Sequence, residues 1–138
     1  MLAAMIPIGT ALQTTGVSSL IATSISSYAS TLSLFWILLI ILIVTMVTTD
    51  IINNAATAVI MAPISTGIAL ELGYAIEPFL MVVAVGASCA FLTPIGHQCN
   101  TVVMGPGNYK FTDYWRMGLP MDILIIFASI PMILFVWT

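Results

Sequence analysis

Residues 31–57 decide the fold, and they read TLSLFWILLIILIVTMVTTDIINNAAT. The apolar part, residues 31–49, would reach roughly 28 Å as a helix, which is close to the thickness of a bilayer core. Asp50 and the adjacent amides Asn53 and Asn54 follow, and the chain then turns apolar again as far as Met61. Polar groups at membrane depth are costly unless protein satisfies them or they line a wet cavity. This cluster therefore predicts a functional site.

The composition predicts an all-α integral membrane protein. Hydrophobic residues make up 61% of the chain and charged residues only 5%, whereas soluble domains carry about 25% charged residues. The charged residues are Asp50, Glu71, Glu77, Lys110, Asp113, Arg116 and Asp122. Two basic residues cannot form a phosphate-binding surface, so nucleic acid is excluded as a partner and the lipid membrane is expected.

The remaining apolar segments predict further helices. These are residues 1–16 (a short helix or the end of a longer one), 55–72, 78–92 and 119–136. Residues 17–30, rich in Ser and Thr, are predicted to be a connector at the membrane interface. Gly73 is expected to end one helix, and Pro78 to lie in the first turn of the next. Small residues at 86–90 favour close helix packing in lipid.

A second polar interruption lies at residues 93–101, which read TPIGHQCNT. A Pro, a Gly and several hydrogen-bonding side chains predict a helix broken at mid-span. The chain is thus interpreted as one transmembrane domain, residues 1–138, with breaks near 49–57 and 93–101. A break exposes carbonyls that suit a cation and N–H groups that suit an anion. We expect Asn53 to cap the helix after the first break, leaving Asn54 for a ligand, and Asn100 and Thr101 to do the same at the second.

Other interpretations of these residues stay open. The Asn pair could turn a hairpin at the membrane surface, His97 could be a packing histidine, and Asp50 could cap a helix or hold a water. His97 and Cys99 lack further Cys or His to complete a metal site, so no metal other than sodium is expected. The signatures of intramembrane enzymes are absent around Ser88, His97 and Asp50, so no enzymatic activity is expected.

At these motifs the chain resembles the C-terminal half of the divalent-anion/sodium symporter family, whose members carry dicarboxylates, citrate or sulfate. That family has a Ser-Asn-Thr signature at a re-entrant hairpin tip, following a Thr-Glu pair. The stretch 49–57 matches it, with Asn54 on the signature Asn. Residues 88–100 resemble the family's unwound helix, and residues 105–115, GPGNYKFTDYW, resemble the segment after that helix in bacterial permeases.

The resemblance implies function and site residues. It implies secondary active transport of a small anion, sulfate or a di- or tricarboxylate, coupled to sodium by alternating access, with sodium as coupling ion and no cofactor. Together with the capping residues, the predicted substrate-binding set is Asn53, Asn54, His97, Asn100 and Thr101. The predicted sodium-binding set is Thr49, Ile52, Asn54 and Gly96. The alternatives are a proton-coupled anion permease or a non-transporting assembly subunit.

The chain also departs from the family pattern. Ala55 stands where the signature has Thr, and residues 97–99 replace Thr-Pro-Pro, a change that resembles a bacterial sulfate-permease-like branch of the inner membrane. The family has two inverted halves, whereas this chain holds one hairpin and one broken helix. The expected partners are therefore a small anion, the N-terminal half of the same permease and a second copy in a homodimer. A polar loop is predicted at residues 108–117, and the positive-inside tendency places this loop, with Lys110 and Arg116, in the cytoplasm.

Overall fold

The computed structural model describes residues 33–137, together with the isolated positions 7, 11, 14–16 and 23. The predictions for residues 1–16 and 17–30 lie largely outside these residues. The described part contains helices and no strand, which confirms the all-α class. Its helices are α1 (Leu34–Ile51), α2 (Asn54–Leu72), α3 (Ile76–Ser88), α4 (Gln98–Met104) and α5 (Phe111–Trp137).

The first break is short and consists of Ile52 and Asn53, between α1 and α2. The C-cap of α1 is Ile52, whose N–H donates to the carbonyl of Thr48 at 3.0 Å. Its φ and ψ of −95° and −110° lie outside the helical region. Asn53 is extended, and α2 starts at the next residue. Helix α2 ends at Gly73, as predicted, because its left-handed φ of 72° suits a residue without a Cβ.

Helix α3 lies at the centre of the described part and contacts α1, α2 and α5. Phe79 and Val82 are fully buried in its core. At Gly86 an added Cβ would lie only 2.9 Å from the Cβ of Thr45 in α1. The small residue therefore permits the close approach of α1 and α3 that the sequence predicted.

The second break begins earlier than predicted. Helix α3 ends at Ser88 rather than at residue 92, and residues 89–97 are non-helical before α4 begins. The reason is a tertiary contact, because the N–H of Leu92 donates to Asp50 Oδ1 at 3.1 Å. That donor would otherwise bond to the carbonyl four residues earlier in a continuing helix.

The polar loop predicted at residues 108–117 is mostly helix, and the prediction was wrong there. Helix α5 begins at Phe111, because the N–H of Lys110 donates to Asp113 Oδ2 at 2.8 Å and the N–H of Asp113 donates to the Lys110 carbonyl at 3.0 Å. This reciprocal pair starts the first turn in the manner of a capping box. The remaining loop is residues 105–110.

Helices α1, α2 and α5 are each long and apolar enough to cross a membrane. With 18 residues, α1 would extend about 27 Å. Large apolar side chains on the outer faces, such as Trp36, Phe127 and Phe135, are exposed, which suits contact with lipid rather than with water. The chain is an integral membrane protein.

Candidate functional site

Asn53 has a structural role at the first break. Its Oδ1 accepts a hydrogen bond from the N–H of Ala56 at 2.8 Å, which makes it the N-cap of α2. The N–H of Thr57 donates to the Asn53 carbonyl at 2.9 Å. The first two N–H groups of α2, those of Asn54 and Ala55, have no partner within a helix. The prediction that Asn53 caps α2 is confirmed. The ligand role predicted for Asn54 stays a prediction.

Asn54 is tied to the end of α1. The Thr49 hydroxyl lies 3.0 Å from Asn54 Oδ1 and 3.0 Å from the carbonyl of Ala87 in α3. A hydroxyl carries a single proton, so Thr49 can donate fully to only one of these two acceptors. Within the described part of the chain, Asn54 makes no other side-chain hydrogen bond. Its half-buried amide therefore has further hydrogen-bonding capacity at the break.

The two breaks meet at Gly96. A Cβ at this position would lie 3.0 Å from the Thr49 carbonyl oxygen and 3.0 Å from the Asp50 Cα. The N–H of Gly96 donates to Thr93 Oγ1 at 3.2 Å, and that hydroxyl donates to the Asp50 carbonyl at 2.7 Å. Of the predicted sodium ligands, Thr49 and Gly96 are thus adjacent. Ile52 lies at the C-cap of α1, three residues further along.

The polar side chains of the second break hold its backbone. Asn100 Nδ2 donates to the carbonyls of Ala90 at 2.9 Å and Thr93 at 3.3 Å, and the Thr101 hydroxyl donates to the Pro94 carbonyl. The N-cap of α4 is His97, whose Nδ1 accepts from the N–H of Cys99 at 3.2 Å.

The expectation that Asn100 caps this helix was therefore wrong, because the N-cap lies three residues earlier, and the ligand role expected of Thr101 stays a prediction. Both lie inside α4, where their side chains reach back to carbonyls that the unwound segment leaves without helical partners. His97 is exposed, and its contact with substrate stays a prediction.

Two acidic side chains are buried near the breaks. Asp50 is 4% exposed and Asp122, in the middle of α5, is 8% exposed. Asp50 Oδ1 accepts a hydrogen bond from the N–H of Leu92 across the second break, so Asp50 does not cap a helix. Asp122 was not among the residues predicted to form a site. The available signal was that it is the one charge inside the apolar stretch 119–136.

Tyr114 was also missed. Its hydroxyl donates to the Asn100 carbonyl at 2.7 Å, which joins α4 to α5. Beside this contact lies a cavity of about 360 Å³ between α4 and the first turns of α5. Its walls are mostly apolar and include Val103, Met117 and Met121. The cavity is lined by Asn100 of the predicted substrate set but not by Asn54.

The sulfur and imidazole groups do not assemble a metal centre in the described residues. No group of three or more His, Cys, Asp or Glu side chains is placed there to hold a metal ion. Both cysteines are free thiols, Cys89 buried and Cys99 exposed. The candidate site is the junction of the two breaks, where backbone oxygens of Thr49 and Asp50 lie close to Gly96 and Thr93.

Comparison with known proteins identifies the family of this chain. The sodium:sulfate symporter transmembrane region matches residues 1–138. This chain belongs to the sodium:sulfate symporter family. An uncharacterized transporter of Synechocystis is 36% identical over 137 residues, which is 99% of this chain and 22% of that protein.

Two further relatives agree with this assignment. An uncharacterized transporter of Escherichia coli is 48% identical over 82 residues, covering 59% of this chain and 13% of the relative. Sodium/sulfate cotransporter 2 of Chlamydomonas reinhardtii is 30% identical over 129 residues, covering 93% of this chain and 15% of the relative. The chain spans about a fifth or less of the length of these curated relatives.

Proposed function

We propose that this chain is the C-terminal half of a sodium-coupled permease of the bacterial inner membrane that carries a small anion, sulfate or a di- or tricarboxylate, by alternating access. One observation carries the proposal. The Thr49 carbonyl at the first break lies against the backbone of Gly96 at the second, and the Thr49 hydroxyl lies 3.0 Å from Asn54 Oδ1. Broken helices that meet in this way supply both ion and substrate ligands in secondary transporters.

The sodium site is assigned to the end of α1 and the facing loop. The predicted ligands are the carbonyls of Thr49, Ile52 and Gly96 together with the amide oxygen of Asn54. Sodium is a hard cation that takes oxygen ligands, and the carbonyls at the C-terminal end of a helix carry the negative end of its dipole. The close packing of Gly96 on the Thr49 carbonyl supports this grouping.

The anion site is assigned to the start of α2. The N–H groups of Asn54 and Ala55 lie at the positive end of the helix dipole, which favours an anion. The Asn54 amide can add its Nδ2 as a side-chain donor. The Thr49 hydroxyl can donate its proton to the Ala87 carbonyl. A 180° flip of the Asn54 side-chain amide would then make Nδ2 the donor to the Thr49 hydroxyl oxygen and leave Oδ1 for sodium. One amide can in this way face either the ion or the anion.

The test is uptake of labelled sulfate and labelled succinate by the full-length protein in proteoliposomes, in sodium or in choline. We expect one of the two anions to accumulate only with sodium. Asn54→Ala should lower that uptake by about tenfold or more, since a hydrogen bond to a charged group contributes roughly 1.5–3 kcal/mol.

The matched control is Asn108→Gly. Asn108 is exposed outside both breaks, and its φ of 50° suits glycine. It should transport as the unsubstituted protein does. Uptake that persists in choline and stops with a protonophore would show that protons, not sodium, drive transport. Unchanged uptake in Asn54→Ala would remove the site assignment, and no uptake of any anion would favour an assembly subunit.

A further inference from the structure

Two carboxylates, each more than nine-tenths buried, have unsatisfied oxygens. Asp50 Oδ2 and Asp122 Oδ1 make no hydrogen bond in the described part of the chain. Leaving a buried charged group unpaired costs several kcal/mol, so such groups are normally paired or bind a cation. The only Lys and Arg in the sequence are Lys110 and Arg116, and both are exposed. No Lys or Arg of this chain therefore neutralises the pair.

Asp50 and the turn of α5 that contains Gly118 meet at one peptide of the second break. Asp50 Oδ1 accepts from the N–H of Leu92 at 3.1 Å. On the α5 side, a Cβ at Gly118 would lie 3.0 Å from the same nitrogen and in contact with the Phe91 carbonyl oxygen. The backbone of α5 thus packs directly on residues 91–92.

Asp122 follows Gly118 by one helical turn and lies on the same face of α5. Side chains in a helix lean toward its N-terminus, so the Asp122 carboxylate leans back over the turn of Gly118. Asp122 is within electrostatic range of Asp50, and Cys89 is within range of both. Cys89 is the third titratable group at this point, where α1, α5 and the loop after α3 meet.

We propose that Asp50 and Asp122 bind a sodium ion between them, at a site separate from the Thr49, Ile52, Asn54 and Gly96 set. The donors are carboxylate oxygens, and the Phe91 carbonyl oxygen lies against Gly118, one helical turn before Asp122. Such oxygens suit a hard cation. Sodium is the coupling ion of the proposed function, so it is the occupant that we assign to these oxygens.

The role of this ion rests on the proposed function, because a second bound sodium would be a second coupling ion. The site joins α5 to the end of α1 through the loop at Leu92. Filling it would fix the second break against the first, next to the Gly96 contact. Sodium binding here would therefore stabilise the arrangement in which the substrate site is formed.

The experiment compares Asp122→Asn with Glu77→Gln in the full-length protein. Glu77 is exposed in the first turn of α3, so its change to an amide is the matched control. Sodium replaces choline at constant ionic strength in two measurements, namely anion uptake in proteoliposomes and the melting temperature of the detergent-purified protein. We expect Asp122→Asn to raise the sodium concentration for half-maximal uptake by about tenfold or more, and to lower the Hill coefficient for sodium. Glu77→Gln should match the unsubstituted protein.

The outcomes separate this inference from the proposed function. An unchanged sodium dependence in Asp122→Asn would overturn the site, and so would a shifted pH profile with unchanged sodium dependence, which would assign the pair to a proton. If Asp122→Asn is not recovered folded, Asp50→Asn is the second variant and should lose the same part of the sodium-induced rise in melting temperature. If the unsubstituted protein shows no sodium-dependent uptake, the proposed function fails, and the melting measurement still decides whether Asp122 binds sodium.

Discussion

At the scale of single residues, the first break assigns different tasks to neighbouring side chains. Asn53 caps α2 through Ala56, while Asn54 is joined to Thr49. Replacing an N-cap Asn by Ala typically costs about 1 kcal/mol of helix stability. Loss of Asn53 is therefore expected to lower helix stability, whereas loss of Asn54 is expected to remove the proposed ligand groups. The two adjacent amides thus make different contacts.

Thr49 provides a residue-scale prediction. Thr49→Val keeps the shape of the side chain but leaves Asn54 Oδ1 and the Ala87 carbonyl without their shared hydroxyl donor. We expect destabilisation of about 1–3 kcal/mol, the usual cost of an unsatisfied buried acceptor, and reduced anion uptake. Denaturation and proteoliposome uptake measure the two effects.

The controls for Thr49 separate the hydroxyl from its position. Thr49→Ser retains the donor and should recover most of the uptake. Thr112→Val places the same change on the exposed start of α5, where little effect is expected. Loss of uptake in Thr49→Ser with uptake retained in Thr49→Val would show that the methyl group, not the hydroxyl, matters.

At the scale of elements, the close approach of the two breaks depends on Gly96. Its neighbours are backbone atoms of Thr49 and Asp50 and the Cβ of Ala90, all within 3.0 Å of an added Cβ. Backbone atoms cannot rotate away as a flexible side chain does, so α1 and the loop would have to separate.

Gly96→Ala is the element-scale prediction. We expect it to lower stability by about 1–3 kcal/mol through overpacking, and to raise the sodium concentration needed for half-maximal uptake, because the proposed carbonyl ligands move apart. Gly105→Ala is the matched control, since nothing lies within 4 Å of its added Cβ. A Gly96→Ala protein with normal sodium dependence would contradict the grouping of Gly96 with Thr49.

The elements that the sequence predicted are those whose signals are local. The apolar run of α1, the left-handed Gly73 and the N-cap at Asn53 depend on residues next to each other. The end of α3 and the start of α5 were displaced because Leu92 bonds to Asp50, 42 residues away, and because Lys110 and Asp113 cap each other. Asp122 was missed for the same reason, because its burial depends on contacts with residues that are distant in the sequence.

At the scale of the whole molecule, the outer faces of the described helices are largely exposed. Most of α5 is exposed, with buried residues only at Gly118, Asp122, Ile130 and Ile133. Lipid or the rest of a longer permease can cover such a face. Because the chain spans 22% or less of the length of its relatives from Synechocystis, Escherichia coli and Chlamydomonas, uptake is expected from the full-length protein and not from residues 1–138 alone.

The orientation of the whole chain is the last prediction. The loop at residues 73–75 is connected to the loop at residues 105–110 by α3, the second break and α4. Both basic residues, Lys110 and Arg116, lie at or near the loop at 105–110. The positive-inside tendency therefore places Ala75 outside and Thr112 in the cytoplasm. In a background of Cys89→Ala and Cys99→Ser, an impermeant maleimide should label Ala75→Cys on intact cells and Thr112→Cys only after lysis. Reversed labelling would invert the topology, and labelling of both from one side would mean that the broken helix enters and leaves by the same face of the membrane.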